Sequence, residues 1–215
     1  MFATTARRST GVLLFAALQF AVLTSLAMWL YPNYRFAEQF LSELGATRTW
    51  WRIANHEAAV VFAVAVVVLG GGMIVFAAAW RDYAFARGRA RAVGVASQVC
   101  GTVSGLAFVG VASSPIDLAL DLHNALVAAA FVLLLVFVAC LTIVWWCNGA
   151  PRSVLVAGAL YVVMLASYFA AAGWAIATDP WAHRRVLVIG QKIVVYASLA
   201  YVVFLTLTIR RRMPG

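Results

Sequence analysis

Three histidines, seven acids and one lysine are among the side chains here that can ligate a metal, move a proton or hold an anion. They are spread unevenly. The stretch 113–131, SSPIDLALDLHNALVAAAF, sets two serines, a proline, two aspartates and a histidine between long apolar runs. Asp117 and Asp121 are four residues apart, so a helix places them on one face, where like charges repel unless a cation stands near. His123 follows Asp121 by two and points to nearly the opposite side of a continuous helix. Lys192 sits inside another apolar run, after Gln191. An ionisable residue so placed faces a bundle interior or snorkels to the nearer surface. Its expected counter-charge is Asp117, Asp121 or a lipid phosphate.

Two chemistries fit these residue types. In one, Ser42, His56, Asp117, Asp121, His123 and Lys192 line a polar cleft that binds a ligand without transforming it, and no cofactor is expected. In the other, His56, His123 and His183 hold zinc as neutral imidazoles, and Asp117 or Asp121 acts as general base while a zinc-bound water hydrolyses a lipid ester or amide. The zinc reading requires three separate helices to converge, and neither HxxxH nor HExxH occurs in the sequence. Several of the same acids also have a plain structural use. Ser114-Pro115-Ile116-Asp117 reads as a capping box with proline at the first helical position, and Asp179-Pro180 and Asn55 with Glu57 read similarly. Asp121 lacks that explanation.

The elements that must position these residues are membrane spans. Of 215 residues, 65% are hydrophobic and 11% charged, where soluble domains carry about a quarter charged. Apolar runs of about 20 residues match the roughly 30 Å hydrocarbon core. Six spans are expected, at about 11–31, 55–80, 93–112, 123–146, 153–177 and 186–209, in one all-α domain over 1–215. The first run continues through Met28-Trp29-Leu30-Tyr31, longer than a signal peptide's apolar region, and is read as a retained helix. Ser97, Gly101 and Gly105 form a small-residue packing stripe, and Gln19 and Gln98 are read as interhelical glue. Cys100, Cys140 and Cys147 show no CxxC spacing and are expected as free thiols.

The net charge of +9 reflects arginines clustered at span ends, where anionic headgroups attract them, rather than a nucleic-acid surface. With six spans the termini share a side. That side collects ten arginines (7, 8, 81, 87, 89, 91, 152, 210, 211 and 212) against five (35, 48, 52, 184 and 185) on the other. The bias places both termini in the cytoplasm and the protein in the cell's inner membrane. All three histidines and every acid but Asp82 then fall at the outer face. No repeat relates the two halves, and the inner halves of the spans are too apolar for a transport path.

Phe40-Leu41-Ser42-Glu43-Leu44-Gly45, Pro115 to Phe131 and Lys192 to Tyr196 together resemble the DUF998 family of six-helix membrane proteins, distantly similar to the Frag1/DRAM family. The likeness lies in a Ser-acid-x-Gly segment of the first outer loop, the proline, aspartate and histidine opening span four, and a charged residue and tyrosine in the last span. It implies Glu-Arg where this chain has Gln191-Lys192, and it carries no assigned activity. The expected function is therefore binding of membrane lipid, of a membrane-protein partner or of a second copy of the chain, without nucleic acid.

Overall fold

A computed structural model describes the backbone of residues 2–85 and 90–212, and the side chains of 8–79, 90–209 and 211. The side chains of Arg7, Arg81, Asp82, Arg87, Arg89, Arg210 and Arg212, used above to orient the chain, lie outside the described residues.

Six helices follow one another: α1 (Phe2–Leu30), α2 (His56–Phe85), α3 (Arg91–Ala112), α4 (Leu120–Cys147), α5 (Arg152–Thr178) and α6 (Arg184–Arg212). Each contains a stretch long and apolar enough to cross a bilayer, and no strand occurs among the described residues. The protein is a multi-pass membrane protein. Large apolar side chains such as Phe15, Val22, Val60, Leu160 and Val163 point outward from the bundle. A lipid solvent accepts that arrangement and water does not. Trp29, Trp50, Trp51, Trp146, Trp174 and Trp181 are exposed near helix ends, as an interfacial belt requires.

α1 to α4 pack tightly in chain order, whereas α5 makes thinner contacts with α4 and α6, and α6 returns to α1. Small residues bring the helices close. A Cβ on Gly105 would lie 2.6 Å from the Gly70 carbonyl oxygen, so the α2 and α3 backbones touch there. Ser104 Oγ donates to the Ala130 carbonyl at 2.7 Å and ties α3 to α4. Gln19 Nε2 donates to the Ala65 carbonyl at 2.9 Å and ties α1 to α2, as expected of it. The three cysteines are free thiols.

Long connections gather at one end of the bundle, called here the loop face. Residues 31–55 fold over it. A 3₁₀ turn, Leu41–Gly45, drops Leu41 and Leu44 among Phe20, Ala58, Phe62 and Val111 like a plug. Gly45 is needed where it stands, because a Cβ would fall 2.7 Å from the Phe62 ring. A small hairpin follows, with Thr49 N–H donating to the Ile53 carbonyl and Asn55 N–H to the Thr47 carbonyl, each at 2.9 Å. Its tip carries Trp50 and Trp51, and Arg52 adopts the left-handed conformation (φ 63°) that closes it.

Candidate functional site

The plug residue Glu43 organises the loop face. Its carboxylate is almost wholly buried and collects three donors. Oε1 accepts from Phe40 N–H at 3.0 Å and from Arg184 Nη2 at 2.8 Å, and Oε2 accepts from Trp50 Nε1 at 2.8 Å. One acid thus joins the 3₁₀ turn, the hairpin tip and the start of α6. Arg184 also donates from Nε to the Glu38 carbonyl at 3.2 Å and lies 5.2, 5.9 and 6.0 Å from the ring centroids of Phe40, Trp50 and Trp181. A guanidinium fixed on so many sides is pre-organised.

Eight residues further along α6, Lys192 is buried. Its ammonium donates to the Gln39 carbonyl and lies 4.9 Å from the Phe36 ring centroid and 5.8 Å from that of Tyr34. The neighbouring Gln191 Oε1 accepts from Leu41 N–H at 2.9 Å. The adjacent pair therefore latches the 31–55 segment onto α6. The expected partnership of Lys192 with Asp117 or Asp121 does not form, because a main-chain carbonyl takes its place. Lys192→Met, which keeps the stem and removes the ammonium, is expected to cost about 1.5–3 kcal/mol, the usual worth of a hydrogen bond to a charged group. Lys192→Glu should lower the thermal midpoint in detergent much further and expose the 31–55 segment to trypsin. A wild-type-like Lys192→Glu protein would show that the ammonium reaches water instead.

The remaining expected site residues separate. Asp117 is exposed and lies 2.9 Å from Thr47 N–H, 2.7 Å from the Thr47 hydroxyl and 3.0 Å from Arg48 N–H, all donors to it. It pins the hairpin base rather than capping α4, which begins only at Leu120. Burial raises its pKa, but the Thr47 and Arg48 bonds outweigh that and hold it below the ordinary carboxylate value. Asp121 is exposed in the first turn of α4 and supplies the acid for that helix end. The helix-end position expected of Asp117 thus falls to Asp121. Asp179 accepts from Trp181 and Ala182 N–H at 2.9 and 3.0 Å, a turn just ahead of α6 that lowers its pKa. Asn55, expected to cap α2, instead donates its side-chain amide to the Leu44 and Ala46 carbonyls at 3.1 and 2.7 Å.

The zinc set is not assembled. His56 is exposed at the start of α2, His183 lies against the Trp174 ring at 4.4 Å between centroids, and His123 is buried at the start of α4. Among the described residues no three His, Cys, Asp or Glu side chains come together to hold a metal ion. Capping and ring contacts dispersed them.

Ser42 and His123 do meet on one cavity. A slot of about 630 Å³ opens between α4, α5 and α6 beneath the hairpin. Its upper end presents Ser42, Glu43, Trp50, His123, Arg184 and Gln191. Its other walls are mostly apolar, from Val127, Phe131, Phe169, Ala172, Ile176 and Val194. The His123 Nδ1 atom is 2.7 Å from the Ser114 carbonyl oxygen. A carbonyl only accepts, so Nδ1 carries the proton and Nε2 presents a lone pair. That Nε2 is buried and has no partner. His56, Asp117, Asp121 and Lys192 do not line the slot, whereas Glu43, Trp50, Arg184 and Gln191 do. The Ser-acid-x-Gly resemblance pointed at Glu43; nothing local in the sequence marks Trp50 or Arg184.

A family model described as "Protein of unknown function (DUF998)" matches residues 14–208. Comparison with curated proteins and with solved structures gave no match.

Proposed function

The chain belongs to the DUF998 family, and from that premise we propose that this membrane protein holds a lipid in the α4–α5–α6 slot, with the lipid's polar part under the hairpin and an acyl chain between the helices. The observation that carries the reading is the slot's gradient, from a buried, unpartnered histidine acceptor at the loop face to plain hydrocarbon below. A ligand that fits offers a polar group above and a hydrocarbon tail beneath.

Depth supports a lipid over a water-soluble ligand. From Leu120 at the rim to Phe131 at the floor, α4 descends about 16 Å at 1.5 Å per residue. Half of a roughly 30 Å hydrocarbon core is about 15 Å. The slot thus spans one leaflet. Phe131 also lines an apolar pocket of about 90 Å³ between the helices. The arginine asymmetry assigns the loop face to the outside of a cytoplasmic membrane, so the lipid belongs to the outer leaflet of that bilayer.

Gly173 provides the test. It lines the slot, and a Cβ built there meets nothing within 4 Å. A Cβ has room there, so Gly173→Trp is expected to place its indole in the slot. Native mass spectrometry of the gently solubilised wild type should show one retained lipid per chain. The Gly173→Trp protein, with an unchanged thermal midpoint, should show none. Equal retention by both would place the lipid elsewhere and refute the slot.

A further inference from the structure

We infer that the lipid held by the slot carries an anionic, phosphate-bearing headgroup, received by an arginine–tryptophan basin beside the slot's mouth. This rests on the lipid-binding reading above. The basin, about 450 Å³, lies between the 31–55 segment and the turn before α6. Arg35, Arg184 and Arg185 line it with Trp50, Trp51 and Trp181, and Glu38 is its one acid. Trp50 and Arg184 line both the basin and the slot, so the two cavities share a wall. A molecule in the slot therefore brings its headgroup to the basin.

The three arginines differ in what they have left to give. Arg35 spends its charge on Glu38 at 3.2 Å, on the surface. Arg184 commits Nε to the Glu38 carbonyl and one Nη2 hydrogen to Glu43. Of the five N–H groups of its guanidinium, the others have no protein acceptor among the described residues. Arg185 is exposed, with no protein partner among the described residues. Both Arg184 and Arg185 sit at the start of α6, where the helix dipole is already positive and no acid stands in the first turn. An anion bridging the free donors of Arg184 and the unpaired charge of Arg185 is favoured there, and a phosphate accepts the planar fork of donors that a guanidinium offers. The three indoles suit the same depth, with apolar faces toward the acyl boundary and N–H groups toward the headgroups.

The experiment uses the full chain in nanodiscs made with equal parts phosphatidylglycerol and phosphatidylcholine, extracted gently and read by native mass spectrometry. The wild type is expected to retain phosphatidylglycerol over phosphatidylcholine by about tenfold or more, since each basic residue near anionic lipid is worth roughly a factor of five. In Arg185→Gln the preference should fall about fivefold while one lipid per chain is still retained. Arg185 lies outside the Glu43 network, so the fold is left intact. Retention of either lipid without preference in the wild type would overturn the headgroup assignment and leave the slot standing. No retained lipid at all would overturn the slot reading itself. Inorganic phosphate separates the remaining source: its competition with phosphatidylglycerol in the wild type is expected, whereas phosphate binding undiminished by lipid would make the basin a free-anion site and overturn the assignment.

Discussion

Glu43→Ala should lower the stability of the detergent-solubilised protein by about 3–5 kcal/mol, the range for breaking a buried ion pair from one side. Three donors lose their acceptor at once: Phe40 N–H, Trp50 Nε1 and the Arg184 guanidinium. The Arg184 side chain is only 28% exposed and Glu43 2%, so water does little to replace the carboxylate. Glu43→Gln should fall between, because its amide offers one acceptor oxygen and turns an NH₂ group toward a donor. A second substitution separates the stranded cation from lost packing. Arg184→Met alone removes the charge that Glu43 was neutralising, and Glu43→Ala/Arg184→Met should be less destabilised than the two single losses added together. Thermal midpoints of the four proteins read the coupling directly. A Glu43→Ala midpoint equal to that of the wild type would mean that the carboxylate does not organise the loop face. Because Trp50 and Arg184 wall both slot and basin, the same substitution should also reduce lipid retention.

The spans were legible because hydrocarbon thickness imposes a length and a composition that any chain must meet. Sequence runs at 93–112, 153–177 and 186–209 coincide with α3, α5 and α6 to within a few residues at the bilayer ends. The start of α4 was less legible. Ser114-Pro115-Ile116-Asp117 has the pattern of a helix cap, yet Asp117 found better donors 70 residues earlier, at Thr47. A local pattern competes with distant partners that spacing cannot reveal. Lys192 shows the same limit from another side. Its place in an apolar run left burial and snorkelling both open; it is buried, and its acceptor is the backbone of Gln39, and every residue has a backbone carbonyl. His123 was a candidate from its place at the mouth of a span, and it is found buried on the slot with Nδ1 on the Ser114 carbonyl. Arg184 looked like ordinary membrane-end charge, and only the fold sets it 2.8 Å from Glu43, 141 residues away.

The largest packing effect is expected in the glycine run at 70–72, where neighbouring residues should behave in opposite ways. A Cβ on Gly70 would lie 2.5 Å from the Gly105 carbonyl oxygen, while one on Gly71 meets nothing within 4 Å. A backbone carbonyl in the middle of a helix cannot rotate aside, so Gly70→Ala must part α2 from α3. Overpacking of this kind costs about 1–3 kcal/mol and more when backbone moves, and the roughly 1 kcal/mol gained from better helix propensity does not offset it. Gly105→Ala meets the Gly70 carbonyl at 2.6 Å from the other side and should do the same. Gly71→Ala keeps the propensity gain alone and should raise the thermal midpoint slightly. The contrast reaches the slot, because α3 holds α4 through Ser104 and the Ala130 carbonyl, and the turn after α3 supplies the Ser114 carbonyl that orients His123. Moving α3 therefore moves the wall that carries the histidine. Gly70→Ala should lose lipid together with stability and Gly71→Ala neither; if both alanines behaved alike, close α2–α3 contact would not be what holds that wall.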